Sequence, residues 1–438
     1  MLEKFKKHVE QHFPFLENKR LLIAISGGID SVVLTHLAHQ LGFDFSLCHC
    51  NFQLRGPESD KDESFVKKLG EELNVKVFTT SFQTEKYAEE KKLSIQVAAR
   101  ELRYTWFYEL IEKHNYNYVL TAHNSNDNLE TFLINLTRGT GLEGLTGIPP
   151  INHKSIRPLL KFSRDDIQLF AIKNEITWRE DRSNANIKYV RNKVRHKIVP
   201  ILQEINPHLL ETFQKTLEHL NESQSIVNDT VEEITNDLLS VEGDVIKIHL
   251  QKLNELKNKK GYLYQVLKPY GFTEWNDVLD LITAQSGKQV FSKTHRLLKN
   301  RNSLILTDNH EDLFKNRSFT INKEENKITS PIQLTIEETS KENTDSQNAI
   351  IVDKDLLKFP LRVRKWSYGD YICPIGMEGS KKLSQLFKDK KLSLLEKEKT
   401  WLLTDAEDNI IWVIGMRQDR RFIVTKNSKN LLKILHVQ

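Results

Sequence analysis

Apolar residues in the first part of the chain come in short continuous runs separated by segments of helical spacing. The run Leu21-Leu22-Ile23-Ala24-Ile25 ends at Ser26-Gly27-Gly28-Ile29-Asp30-Ser31, after which Leu34, Leu37, Ala38 and Leu41 repeat with helical period. A continuous apolar run bounded by a glycine turn reads as a parallel strand buried on both faces. The alternation continues with strands at Phe43–Cys48, Val75–Phe78 and Tyr118–Ala122, and with helices carrying Val66, Leu69 and Leu73, then Ala98, Leu102, Trp106 and Leu110. Repeated strand–helix units predict an α/β fold, a doubly wound parallel sheet that binds ligands beyond the C-terminal ends of its strands.

The pattern changes after Pro200. Leu209, Leu210, Phe213, Leu217 and Leu220 mark a helical stripe, and Leu263, Val266 and Leu267 a further helix, followed by strand-like pieces at Lys288–Phe291 and Ser303–Leu306. Residues 322–348 are polar and low in aromatics, although Ile332, Leu334 and Ile336 alternate like an edge strand. Near the C-terminus, Ile410–Ile414 reads as a buried strand, and Lys381-Lys382 opens a helix with Leu383, Leu386 and Phe387 inward. The expected division is a catalytic domain over 1–197, a mainly helical middle domain over 198–320, a linker over 321–348 and a small α+β domain over 349–438.

Composition narrows the classes. With 438 residues, 28% charged and 39% apolar, the chain has core enough for two or three domains. No apolar run approaches a membrane span, and MLEKFKKHVEQHF is an amphipathic pattern without a signal peptide's apolar stretch, so a cytoplasmic location is expected. The three cysteines, Cys48, Cys50 and Cys373, make a disulfide framework an unlikely fit, and Cys48-His49-Cys50 has the wrong spacing for a zinc knuckle. A net charge of +5 does not by itself identify a nucleic-acid partner.

The candidate chemistry falls at the predicted strand ends. Ser26–Ser31 leads into a helix N-terminus, where free backbone N–H groups and the helix dipole favour a phosphate and the serines add hydroxyl donors. It lacks the Walker lysine, which disfavours a P-loop kinase or GTPase. After the fourth strand, Asn126 or Asp127 can cap a helix that presents Glu130; Asp127 and Glu130, three apart, could hold magnesium, grip an ammonium group or accept a proton, or could be solvated acids. Arg100 and Arg103 share a helix and could reach phosphates or pair with nearby glutamates. Arg138–Leu145 is glycine-rich and suits either a mobile loop or a plain helix stop. Within 187–197, Lys188, Arg191, Lys193, Arg195 and His196 form an acid-free run that could follow a phosphate backbone or be a solvated face.

The SGGIDS segment resembles the loop of the PP-loop ATP enzymes, which cleave ATP to AMP and pyrophosphate. HCNFQLRGPESDKDE (49–63), AARELRY (98–104), His123–Thr131, LTRGTGLEGL (136–145), RPLL (157–160), WREDRSN from Trp178 and YVRNKVR (189–195) are together similar to the tRNA(Ile)-lysidine synthetase family. One departure is Asn126-Asp127, where that family usually has two aspartates. The C-terminal segment resembles the same family's last domain. The resemblance implies ATP-dependent attachment of L-lysine to the wobble cytidine of the isoleucine tRNA with a CAU anticodon, through an adenylated intermediate. It implies that Ser26, Gly27, Gly28, Ile29, Asp30 and Ser31 bind ATP, that Asp30 and Asp127 serve Mg2+, that Asp127 and Glu130 handle the lysine ammonium, and that His123 and Arg100 neutralise phosphate charge. Arg191, Lys193, Arg195, Lys381 and Lys382 would face tRNA, as could Arg364, with Trp366 and Tyr368 able either to stack on bases or to serve as core; a homodimer stays open. A tRNA thiolase of the same superfamily and a non-catalytic RNA-binding protein are the rival readings.

Overall fold

In a computed structural model of the chain, all residues are described except 181–189, 310–316, 342–345, 347 and 438. Asp181–Asn184 of the WREDRSN segment and Lys188 of the basic run therefore lie outside the described residues. The chain forms two compact units, 1–228 and 229–438.

The first unit is built on β1 (Arg20–Ala24), whose Leu21, Leu22 and Ile23 are fully buried because the strand is covered on both faces. Its neighbours are β2 (Asp44–Asn51) and β4 (Tyr118–Leu120), both parallel to it. With β3 (Val77–Ser81), β5 (Ile151–Asn152) and β6 (Ser155–Ile156), the sheet order is β3-β2-β1-β4-β6-β5; β5 alone of these six runs antiparallel. Side chains alternate between the faces. After α1 (Leu2–His12), Val33, Leu34 and Leu37 of α2 (Ile29–Gln40) pack with Leu21, Ile23 and Leu120, whereas Leu22, Cys48 and Val119 pack with Phe107, Leu110 and Ile111 of Ile95–His114. The chain order reverses between β1 and β4, so their C-terminal ends flank the crevice that this topology offers a ligand.

Strand ends differ from the expectation: β4 stops at Leu120 rather than Ala122, and β2 and β3 depart further. β2 runs on through His49–Asn51 because those residues pair with Thr79–Ser81 of β3. β3 starts two residues late and is polar, since an edge strand need not be buried on both faces. The first unit also takes in residues 198–228, read above as part of the middle region, because Phe213 and Leu217 pack with Leu129, Ile134, Val194 and Val199.

In the second unit, a five-stranded antiparallel sheet packs on helices Leu250–Glu255, Lys259–Leu267 and Trp275–Asp280. Two further sheets share one core, Leu361, Val363, Leu403 and Ile411 meeting Leu334, Ile336, Ile350 and Ile434. The 321–348 stretch is more than a linker: Gln333–Thr339 pairs along its whole length with Leu431–Val437, and its alternating Leu334 and Ile336 are what that core buries. Among the described residues, no helix is long and apolar enough to cross a membrane.

Candidate active site

After β1 the backbone turns through Gly27, whose φ of +88° is a conformation side chains resist. Gly28 is the N-cap of α2 and supplies no side-chain cap. Inside the loop, the Ser31 hydroxyl donates to the Gly28 carbonyl (2.9 Å) and accepts from the Ser26 N–H (3.2 Å). The first helical bond closes from Val32 N–H to Gly28 O at 3.1 Å, so the N–H groups of Ile29, Asp30 and Ser31 precede the intrahelical ladder. The backbone N–H of Arg179 donates to Gly27 O (2.9 Å) and pins the turn.

Across the crevice, the chain leaving β4 closes its helix, α3 (Ser125–Thr137), in the opposite manner. Asn124 accepts from the Asp127 N–H (3.0 Å) while the Asp127 carboxylate accepts from the Asn124 N–H (3.1 Å), a reciprocal capping box. The Asn124 side-chain amide then donates to Asp30 Oδ1 at 3.0 Å, joining the two strand ends. Burial pushes the Asp30 carboxyl above its ordinary value; Arg164, 3.7 Å away, opposes the shift, and the charge on Asp127 adds to it. His123 shares a hydrogen bond with the Thr121 hydroxyl (3.0 Å), and burial lowers its ring to about 4.

Arg195 organises the carboxylates of α3. Its Nη2 donates to Asp127 Oδ1 (3.1 Å), and its Nε and Nη2 grip both oxygens of Glu130 (2.6 and 3.0 Å). Glu130 is buried; burial pushes its carboxyl up and the Arg195 guanidinium opposes that push. Arg191 adds a bond to the Thr131 hydroxyl (2.7 Å) and lies 3.7 Å from Glu130.

These groups surround one cavity of about 620 Å3, lined by Ser26, Gly28, Ile29, Asp30 and Ser31 on one side and His123 and Asp127 on the other, with Arg103, Arg164, Arg179, Arg191 and Arg195 around them. That volume suits a nucleotide-sized ligand. Cys48 and Cys50 reach the same wall, but burial pushes the Cys48 thiol up and the Cys50 thiol to about 12, leaving both protonated at neutral pH.

The site corrects several expectations. Asn124, not Asn126 or Asp127, is the N-cap of α3. Asn126 instead uses its carbonyl oxygen to accept from the Arg164 N–H (3.0 Å), at the first residue of helix Arg164–Lys173. Glu130 does not line the cavity: it is consumed by Arg195. Arg195 is correspondingly an anchor for carboxylates rather than a free RNA-facing cation. The His123 ring, which burial lowers to about 4, carries no positive charge at neutral pH in this structure. Arg100 is exposed one turn before Arg103, with its guanidinium 4.9 Å from the Tyr104 ring, and it is Arg103 that lines the cavity. Lys193 is exposed. In the second unit Lys382 is exposed and Lys381 pairs with Asp389. Arg364 is spent on Asp370 and Asp408, and Trp366 packs edge-on against Phe387 (5.2 Å), whereas Tyr368 is 92% exposed. Arg164 was missed because one arginine opening a helix carries no sequence signal of its own, and Arg179 lies in the WREDRSN block without having been singled out there; Asn124 was visible as a cap residue beside the chosen ones.

The sheet, parallel but for β5, carries an open glycine-loop helix N-terminus at its switch point, the arrangement of a nucleotide-binding protein. Residues 1–202 match the family description "PP-loop domain", 241–309 "TilS substrate binding domain" and 361–435 "TilS substrate C-terminal domain". The chain is 38% identical over 441 residues to the tRNA(Ile)-lysidine synthase of Parabacteroides distasonis, covering 99% of each. It is 35% identical over 428 residues to that of Bacteroides thetaiotaomicron, covering 97% of each. Among solved structures, the U34-tRNA thiolase NcsA from Methanococcus maripaludis aligns with a TM-score of 0.42 and 20% identity, over 50% of this chain and 78% of that one. The chain belongs to the tRNA(Ile)-lysidine synthase family and is an ATP-binding ligase.

Proposed function

We propose that this enzyme joins L-lysine to C2 of the wobble cytidine in the isoleucine tRNA whose anticodon is CAU, in two steps within the cavity between β1 and β4. In the first, the cytosine 2-carbonyl oxygen attacks the α-phosphorus of ATP and pyrophosphate leaves. In the second, the lysine side-chain amine, having given up a proton, attacks C2, the C–O bond breaks and AMP leaves. The activation is required because an amide-like carbonyl oxygen is a poor leaving group and AMP is a good one.

The observation that carries this reading is the uncapped N-terminus of α2 facing the Asp127 carboxylate across one cavity. The first-turn N–H groups and the Ser26 hydroxyl would donate to phosphate oxygens, while the Ser31 hydroxyl, spent on the Gly28 carbonyl, holds the loop in shape. Asp127 offers the lysine ammonium a carboxylate and its proton an acceptor, and Arg195 holds that carboxylate in place. Glu130 serves this arrangement indirectly, as the buried counter-charge of Arg195. Neutral His123 contributes a hydrogen bond rather than a charge.

A magnesium ion fits this donor set. Asp30 and Asp127 face one cavity closely enough for one charge to shift the other. Such a pair suits a hard cation that takes its remaining ligands from phosphate and water. Bound there, the ion would offset negative charge on the transferring phosphate.

The protonated thiols of Cys48, which is buried, and Cys50, which is half-buried, argue against the thiolase reading, which needs a nucleophilic sulfur. The test is pyrophosphate release from ATP by the purified protein with a transcript of this tRNA, with and without L-lysine, followed by nucleoside mass analysis. A product with the mass of cytidine plus lysine minus water supports the proposal. Tight tRNA binding without turnover under any amino acid or sulfur donor overturns it and favours a binding protein, for which a cytoplasmic location would be equally fitting.

A further inference from the structure

We infer that Asn124 is a positioning residue that sets the placement of Asp30 relative to Asp127, and hence of the nucleotide loop relative to the lysine-handling carboxylate. The inference rests on the proposed reaction and assigns a role to a residue that touches neither ATP nor lysine in it.

Asn124 is 2% exposed and makes three bonds that no other residue type reproduces together. Its Oδ1 accepts from the Asp127 N–H (3.0 Å), which fixes the amide so that Nδ2 points the other way, to Asp30 Oδ1 (3.0 Å). Its own N–H donates to the Asp127 carboxylate (3.1 Å). One planar side chain therefore ties the first turn of α2, 94 residues earlier in sequence, to the first turn of α3. Aspartate in its place keeps the acceptor but turns the donor into a third carboxylate beside Asp30 and Asp127. Serine keeps a cap but is too short to span to Asp30. The charged groups around the amide are Asp30, Asp127, and their partners Arg164 and Arg195, with neutral His123 next in the chain.

The two contributions separate experimentally. Asn124→Asp and Asn124→Ser both retain good N-caps, so a merely structural Asn124 predicts stable proteins with parental activity. The positioning role predicts a folded Asn124→Ser with near-parental tRNA affinity and with kcat for tRNA-dependent pyrophosphate release reduced about 10- to 100-fold, since small misplacements of reacting groups cost that much; Asn124→Asp, which buries a third carboxylate, loses melting temperature as well as kcat. Parental kcat in both variants overturns the inference. A parent that releases no pyrophosphate with the tRNA overturns the proposed reaction instead, so the two failures are distinct. If Asn124→Asp does not fold, Asn124→Ser decides on kcat alone.

Discussion

Two neighbouring strand ends meet the same demand in opposite ways. The loops after β1 and β4 each open a helix toward one cavity, and each helix begins with backbone N–H groups that need partners. After β1, Gly28 offers none and the first turn of α2 stays open. After β4, Asn124 and Asp127 close the turn on each other and leave carboxylate oxygens facing the cavity. The difference assigns the roles: an end that receives phosphate must keep its N–H groups free, whereas an end that presents a carboxylate must hold that carboxylate still.

Closing the open end should have the largest effect. Gly28 has φ −73° and ψ 158°, which any residue adopts, and a Cβ there would sit 3.4 Å from the Ser26 hydroxyl, so Gly28→Asp fits the fold. The new carboxylate caps α2 and gains about 0.3 kcal/mol of stability. It also opposes a phosphate: two unit charges 4 Å apart repel by about 4 kcal/mol at an effective dielectric constant of about 20. The KM for ATP should rise by about 100-fold or more while the melting temperature holds or rises. Unchanged KM would show that phosphate does not sit on this helix.

On the closed helix, the contrast lies between two carboxylates one turn apart. Glu130→Gln leaves the Arg195 guanidinium without its principal counter-charge and should cost about 2 kcal/mol, lowering the melting temperature by roughly 6 °C. Asp127→Asn should leave stability closer to the parent, since the amide oxygen still accepts from the Asn124 N–H, and should instead reduce turnover. Thermal melts and pyrophosphate release on the two variants test the division; Asp127→Asn with full activity removes Asp127 from the mechanism.

The sheet and its switch point were legible in the sequence because fully buried parallel strands must be continuous apolar runs, as Leu21–Ile25 is. The glycine loop was legible because backbone approach to phosphate needs glycine there. The fates of the acids and arginines were not: Glu130 and Asp127 look alike in sequence, and only the return of Arg195, 65 residues later, makes one a buried anchor and leaves the other at the cavity. His123 illustrates the same limit, since only packing makes it neutral. Its folded value of about 4, against an ordinary 6.5, means that the unfolded chain takes up a proton in that interval which the folded chain refuses. Stability should therefore be lost as pH falls from about 6.5 to 4. His123→Asn should flatten that slope by up to one proton, measured as denaturation midpoints across the interval; an unchanged slope would mean His123 is already charged in the folded protein.

The smallest predicted effect concerns the departure at Asn126. Its carbonyl oxygen accepts from the N–H of Arg164, the first residue of helix Arg164–Lys173. It does not line the cavity, unlike Asp127 beside it. An aspartate has the same oxygen in the same place and adds a negative charge at a helix N-terminus, a favourable position worth about 0.3–1 kcal/mol. Asn126→Asp should thus raise stability slightly, in a salt-sensitive way, and leave KM for ATP and lysine within about twofold of the parent, since surface changes away from a site are small. A large change in kcat would place Asn126 among the reacting groups. A small one supports the view that of the two adjacent positions only Asp127 needs its charge, because only Asp127 is held by Arg195 at the cavity wall.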